Sequence, residues 1–78
     1  MIYVLISREG TQVNNPRVFT TYAKAQKVME NEQEHQLKES YPDELDRNDF
    51  GRIDEWYACV ETKGDWFEWT ITECNFVE

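Results

Sequence analysis

Between Glu30 and Glu55 the chain carries ten of its sixteen acidic residues and only three basic ones, a local net charge of −7 within a total of −8. A stretch of this kind cannot supply a hydrophobic core, because a buried, unpaired carboxylate loses its hydration without compensation. The core must come from the flanks, residues 1–29 and 56–78, which are close to neutral and hold most of the large apolar side chains. A chain of 78 residues buries only roughly 60% of its unfolded surface, so that core is marginal. Aromatic residues offset this, each burying a large area at modest entropy cost. The expected organisation is one domain, 1–78, with an acidic helix end and loop at 30–55.

The first flank opens with Ile2 to Ser7, β-branched or aromatic at nearly every position, which predicts a strand buried on both faces, or a central one. Gly10 and Asn14-Asn15-Pro16 are turn signals. Arg17 to Thr20 then predicts a short second strand, hairpinned to the first. Thr21 is the expected N-cap of a helix from Tyr22 to Glu39. Its apolar stripe is Tyr22, Ala25, Val28 and Met29. From Asn31 to Gln36 every residue is polar and only Leu37 follows. The second half of the helix is therefore expected to be weakly anchored and to project over the sheet edge. Ser40-Tyr41-Pro42 ends it, since a residue before proline avoids the α region.

Asp43 to Arg52 reads as a polar connector tacked down by Tyr41, Leu45, Phe50 and Ile53. Alternation resumes from Glu55 to Thr62, with Trp56, Ala58 and Val60 on one face and Tyr57, Cys59 and Glu61 on the other. Lys63-Gly64-Asp65 predicts a tight turn. A last strand, Trp66 to Asn75, places Phe67, Trp69 and Ile71 against the helix and Trp66, Glu68, Thr70 and Thr72 on the polar face. The order β-β-α-β-β predicts a two-layer α+β sandwich, one helix packed on a four-stranded, largely antiparallel sheet. One sheet face would stay open, with Tyr3, Trp56 and Trp66 as candidates to occupy it.

The candidate chemical motifs are sparse. Asp46 to Tyr57 partly follows a calcium-binding loop, with Asp46, Asn48, Gly51, Ile53 and Asp54 in place. Phe50 brings no oxygen ligand, however, and Tyr57 stands where a bidentate Glu should close the site. A turn centred on Gly64 would set Cys59 opposite Trp69 and Cys74 opposite Asp54, too far apart for a disulfide. With a single histidine and no C-x-x-C, a zinc site lacks ligands. His35, among glutamates, has no nucleophile or pocket to serve. Acid pairs such as Asp43/Glu44 and Asp54/Glu55 follow from abundance alone. No phosphate loop or dinucleotide fingerprint is present. The reading is no catalytic residue, no metal and no cofactor.

Net charge narrows the partners. At −8 the chain is ill suited to bind nucleic acid or anionic membrane directly, since phosphate contacts rely on Lys and Arg. It favours encounter with basic surfaces. The opening apolar run is too short for a signal peptide and lacks a basic lead, so a cytoplasmic location is expected. Within the helix the charge order opposes the backbone dipole: Lys24 and Lys27 near its start, Glu30, Glu32, Glu34 and Glu39 toward its end.

Val18-Phe19-Thr20-Thr21, followed by Ala25 and later by Trp69-Thr70-Ile71-Thr72-Glu73, resembles small proteins encoded by bacteriophages and mobile elements. In those, a strand ending Phe-x-Thr feeds a helix and a final strand carries Trp-x-Ile-x-Glu. Phe19 to Glu30 also looks like the strand–helix junction of some type II anti-CRISPR inhibitors, with Lys24 standing where a capping glutamate is common. The resemblance spans about a third of the chain and implies a small accessory or inhibitory protein, not an enzyme.

Two functional expectations follow. The first is a non-enzymatic acidic binding or inhibitor protein that engages a basic, nucleic-acid-binding partner protein by charge mimicry. Its contact residues would be Glu30, Glu34, Glu39, Asp43, Glu44, Asp46 and Asp49, with Tyr41 and Phe50 as apolar anchors. The second is a self-associating structural domain, a homodimer through the open sheet face or an edge strand.

Overall fold

A computed structural model describes residues 1–42 and 49–75. Asp43, Glu44 and Asp46 of the expected contact set, and Leu45 of the connector, lie outside the described residues. The element order is β1 (Ile2–Glu9), β2 (Gln12–Val13), β3 (Arg17–Phe19), α1 (Tyr22–Ser40), β4 (Gly51–Ile53), β5 (Tyr57–Glu61) and β6 (Trp66–Cys74). All strands join one antiparallel sheet in the order β2-β1-β6-β5-β4, with β3 also paired to β1. One helix packed on one sheet is the expected α+β architecture. The four expected strands are present, and two short ones add to them.

The first and last strands are the central pair. Ile2 lies opposite Cys74 and Glu9 opposite Phe67, an unbroken register along the whole of β1. On its other edge β1 takes β3 beside Tyr3–Leu5 and β2 beside Arg8–Glu9. The β1–β2 turn uses Gly10 at φ 59°, a left-handed conformation that costs glycine nothing. Ser7 clamps the hairpin: its carbonyl accepts from the Asn14 amide and its Oγ from Asn14 Nδ2, both at 2.9 Å.

Residues directly opposite in an antiparallel pair share a face. Leu5 with Ile71, and Ala58 with Trp69, therefore line the helix side. They are buried with Ala25, Met29 and Val60. The faces of β5 and β6 follow the alternation, but the pairing is offset by one residue from a turn centred on Gly64. Glu61 faces Trp66, so four residues form the loop and Cys59 lies opposite Glu68. Thr62 sets this length, its Oγ donating to the Asp65 carbonyl and accepting from the Asp65 amide, both at 2.9 Å. Cys74 pairs with Ile2 and not with Asp54.

Thr21 caps α1 as expected, accepting from the Lys24 amide at 3.3 Å. At the far end the Tyr41 amide donates to the Leu37 carbonyl at 2.7 Å, and Pro42 follows. The second half of the helix is not loose; that expectation is corrected. Gln33 is buried at 6% exposure and continues the Ala25–Met29 stripe by one turn. Glu32 reaches across to both Arg17 and Trp69. Leu37 packs on Gly51 of β4 so closely that a Cβ there would lie 2.7 Å from both its methyl carbons. Polar and glycine-fitted contacts take over where the apolar stripe ends.

The Leu37–Gly51 contact generates a stability test. Gly51→Val should destabilise the fold by about 1–3 kcal/mol through overpacking. Gly64→Ala, where an added Cβ meets nothing within 4 Å, should change stability by less than about 0.5 kcal/mol. Urea unfolding of the two variants checks the contrast.

Candidate functional site

The acids of α1 separate into a structural one and a set of surface ones. Glu32 sits on the flank of α1 that faces the sheet. Its carboxylate binds the Arg17 guanidinium through two contacts, one of them Nη2 to Oε1 at 2.8 Å. It also accepts from Trp69 Nε1 at 3.2 Å. The hydrogen bond from Arg17 holds the Glu32 carboxyl below its usual range, against the opposing effect of partial burial, and the same contact raises Arg17. This clasp joins β3, α1 and β6, so Glu32 is structural.

Glu30, Glu34 and Glu39 are exposed. Glu30 and Glu34 lie about one turn apart on one flank of α1. Glu39 follows Glu30 by about two and a half turns at 3.6 residues per turn, which turns it to the opposite side of the helix. The three thus do not form one row. Glu34 pairs with Lys38 at 3.0 Å, and Glu39 stands 3.8 Å from His35 Nε2, an ion pair when the imidazole is protonated. Asp49 is exposed just before β4.

Tyr41 and Phe50, the two expected apolar anchors, do come together. Their rings stack with centroids 4.7 Å apart and planes 9° from parallel. The Tyr41 hydroxyl donates to the Glu61 carbonyl, tying the helix end to β5, while Phe50 remains exposed. They line a shallow groove of about 410 Å³ with Glu61, Thr62 and Lys63.

A second grouping escaped the sequence reading. Tyr3 and Trp56 lie on the helix side of the sheet, not on its open face, and meet Tyr22 from the first turn of α1. Tyr22 and Trp56 are tilted at 4.7 Å, Tyr3 and Trp56 stack at 6.5 Å, and Tyr3 meets Tyr22 edge-on at 6.0 Å. The signal was present, since Trp56 shares its alternation with Ala58 and Val60, and Tyr3 with Leu5. Asp54 and Glu55 immediately precede Trp56, and Glu30 lies within electrostatic range of Tyr22. The Tyr22 hydroxyl donates to the Glu55 carbonyl. Burial raises its pKa, and the charges of Glu55, Glu30 and Asp54 raise it further. Of the three open-face candidates only Trp66 is on that face, opposite Glu61.

On the open face Tyr57 donates to Glu68 Oε2 at 2.7 Å, and Arg8 Nη1 lies 3.5 Å from Glu68 Oε1. Burial chiefly, then the Glu68 hydrogen bond, pushes the Tyr57 phenol well above its ordinary range. It is therefore a donor at neutral pH. Cys59 is buried beside it, and both cysteines are free thiols. Among the described residues no three His, Cys, Asp or Glu side chains converge as metal ligands would. Asp46 and Asn48 of the calcium-like spacing lie outside the described residues, and Asp54 is engaged with the backbone amides of Trp56 and Tyr57. Among the described residues no helix is long and apolar enough to cross a membrane. No protein family, curated protein or solved structure matches the chain.

The Glu32 clasp makes stability depend on pH. Its carboxyl is depressed on folding, so its contribution is present in full above the unfolded value of about 4.3. It is lost as pH falls through the folded value. Both partners are partly exposed, at 40% and 38%, which holds the gain to about 1 kcal/mol. Glu32→Gln should cost about that much at pH 7, and the gap from wild type should narrow as pH falls below the ordinary glutamate range. Chemical unfolding across an acid pH series tests this.

Proposed function

We propose that the chain is a non-enzymatic binding protein whose acidic surface engages a basic, nucleic-acid-binding surface of a partner protein, with carboxylates standing where phosphates would. The observation that carries this reading is the charge order of α1. Lys24 stands in its first turn, which holds no acid, and exposed Glu39 stands in its last, with exposed Glu34 more than a turn before it and exposed Glu30 at mid-helix; Lys38 in the last turn follows the dipole. Each terminal charge set against the dipole costs about 0.3–1 kcal/mol. Acids needed only for solubility could stand at the other end and stabilise the helix. The resemblance to phage-encoded accessory and inhibitory proteins points the same way, and an inhibitor acting in the cytoplasm is the role that fits it.

A second reading has its own observation. The sheet face away from α1 carries Val13, Val18 and Trp66 exposed at 53%, 60% and 39%, beside half-buried Ile2, Val4 and Ile6. An exposed apolar surface of this kind suits self-association, with the acids serving solubility.

The triple variant Glu39→Lys, Asp43→Lys, Asp46→Lys separates the two. Under the first reading it loses capture of basic proteins from a bacterial lysate, and duplex DNA added to wild type competes the same proteins away. Glu39→Lys alone should leave the helix as stable as before or more stable by up to about 1 kcal/mol. Unchanged capture by the triple variant overturns charge mimicry. A wild-type dimer on a sizing column that Trp66→Ala dissociates supports the second reading.

A further inference from the structure

Resting on the acidic-surface reading, we propose that Tyr22 and Trp56, rimmed by Glu30, Asp54 and Glu55, form the docking subsite for an arginine-rich segment of the basic partner, with a guanidinium stacked on the indole.

Trp56 is 39% exposed although two other rings pack against it. Its position is fixed from several sides. Its amide and that of Tyr57 donate to Asp54 Oδ1 at 3.0 Å, and its carbonyl accepts from the Ile71 amide at 2.9 Å. The Asp54 amide donates to the Tyr57 carbonyl at 2.8 Å. A ring held this way has little freedom left to lose, which lowers the cost of binding.

The rim supplies the charge. Among the described residues neither Glu30 nor Glu55 has an ion-pair partner within 4.0 Å. The Tyr22 hydroxyl donates to the Glu55 carbonyl and the Trp56 amide to Asp54 Oδ1, which sets these two acids at the rings. The Tyr22 pKa is raised chiefly by burial, with the charges of Glu55, Glu30 and Asp54 adding to it. An aromatic surface with acids beside it is complementary to a cation that has a flat, weakly hydrated face. Guanidinium fits this description: it stacks on indole and presents several N–H donors to carboxylates at the ring edge. The lysine ammonium is compact and strongly hydrated, so it gains less from the ring. A phosphate or an acidic peptide would be repelled by the same rim.

Binding of an arginine nonapeptide and of a lysine nonapeptide, measured by titration with the indole N–H resonances assigned from single Trp→Phe variants, tests the proposal. The expected result is tighter binding of the arginine peptide by about two- to fivefold, with the Trp56 resonance shifting most. Trp56→Leu should abolish that preference yet retain salt-dependent binding of the lysine peptide. Glu30→Gln with Glu55→Gln, which leaves the rings in place, should weaken the arginine peptide more than the lysine one. The Glu39→Lys, Asp43→Lys, Asp46→Lys variant should keep the arginine preference.

Equal affinity for the two peptides overturns the subsite and leaves the acidic-surface reading standing. So does a preference that survives in Trp56→Leu, or a shift centred on Trp66. Failure of both peptides to bind overturns both readings. A dimer that Trp56→Leu dissociates, in place of peptide binding, assigns the ring surface to a second copy of the chain and overturns the subsite.

Discussion

The pairing of β1 with β6 holds the rest of the structure in place. It joins residues near opposite ends of the chain, Leu5 with Ile71 and Ile2 with Cys74. Forming it closes a loop that contains every other element. Contacts of such sequence separation are costly to reach, because the loop-closure entropy must be met before they reward it. Once made, they put the two apolar flanks at the centre of the sheet. The described part of the acidic middle third is left to the second half of the helix and the edge strand β4. Charge segregation along the sequence thereby becomes segregation between core and periphery.

The periphery still has to be attached, and polar contacts do it. Where the apolar stripe of α1 ends at Met29, a buried Gln33 and the Glu32 clasp continue the interface. A carboxylate that accepts two hydrogen bonds from a guanidinium and one from an indole has its partial desolvation compensated. Leu37 against Gly51, and Tyr41 against β5, finish the attachment. The helix can therefore present acids on its remaining surface without depending on them for its position.

Much of this was legible from residue order, and the failures have physical causes. Alternation gave the faces of β5 and β6, and the β-branched opening marked a central strand. The hairpin register went wrong because Gly64 looked like the centre of a turn, whereas Thr62 bonds make a four-residue loop. The alternation already held the correction, since Cys59 opposite Trp69 would have faced the core. Two- and three-residue strands such as β2 and β4 are too short to show a period. Tyr41 and Phe50 could be read as anchors because they interrupt a polar run. The scatter of the acids could not, because a linear run hides the circumference of a helix: Glu30 and Glu39 look adjacent in composition and lie on opposite sides.

The charge order of α1 has an effect beyond its cost. Lys24 and Lys27 lie toward the positive end of the backbone dipole, and Glu34 and Glu39 toward the negative end. The side chains thus add to the helix dipole, where stabilising sequences usually cancel it. The summed field has a larger moment than net charge alone would give. A large moment orients a molecule during diffusional encounter, over a range set by the Debye length of about 8 Å in physiological salt. Against the basic partner proposed above, the acidic end would be turned forward before contact. The aromatic trio stands beside the first turn of the same helix, near Glu30 and the β4–β5 connection, so it is a separate surface from the leading end. Orientation and short-range fit would then be supplied by different residues. On the proposed reading, Glu39 and its neighbours would act at a distance, and Trp56 only on contact.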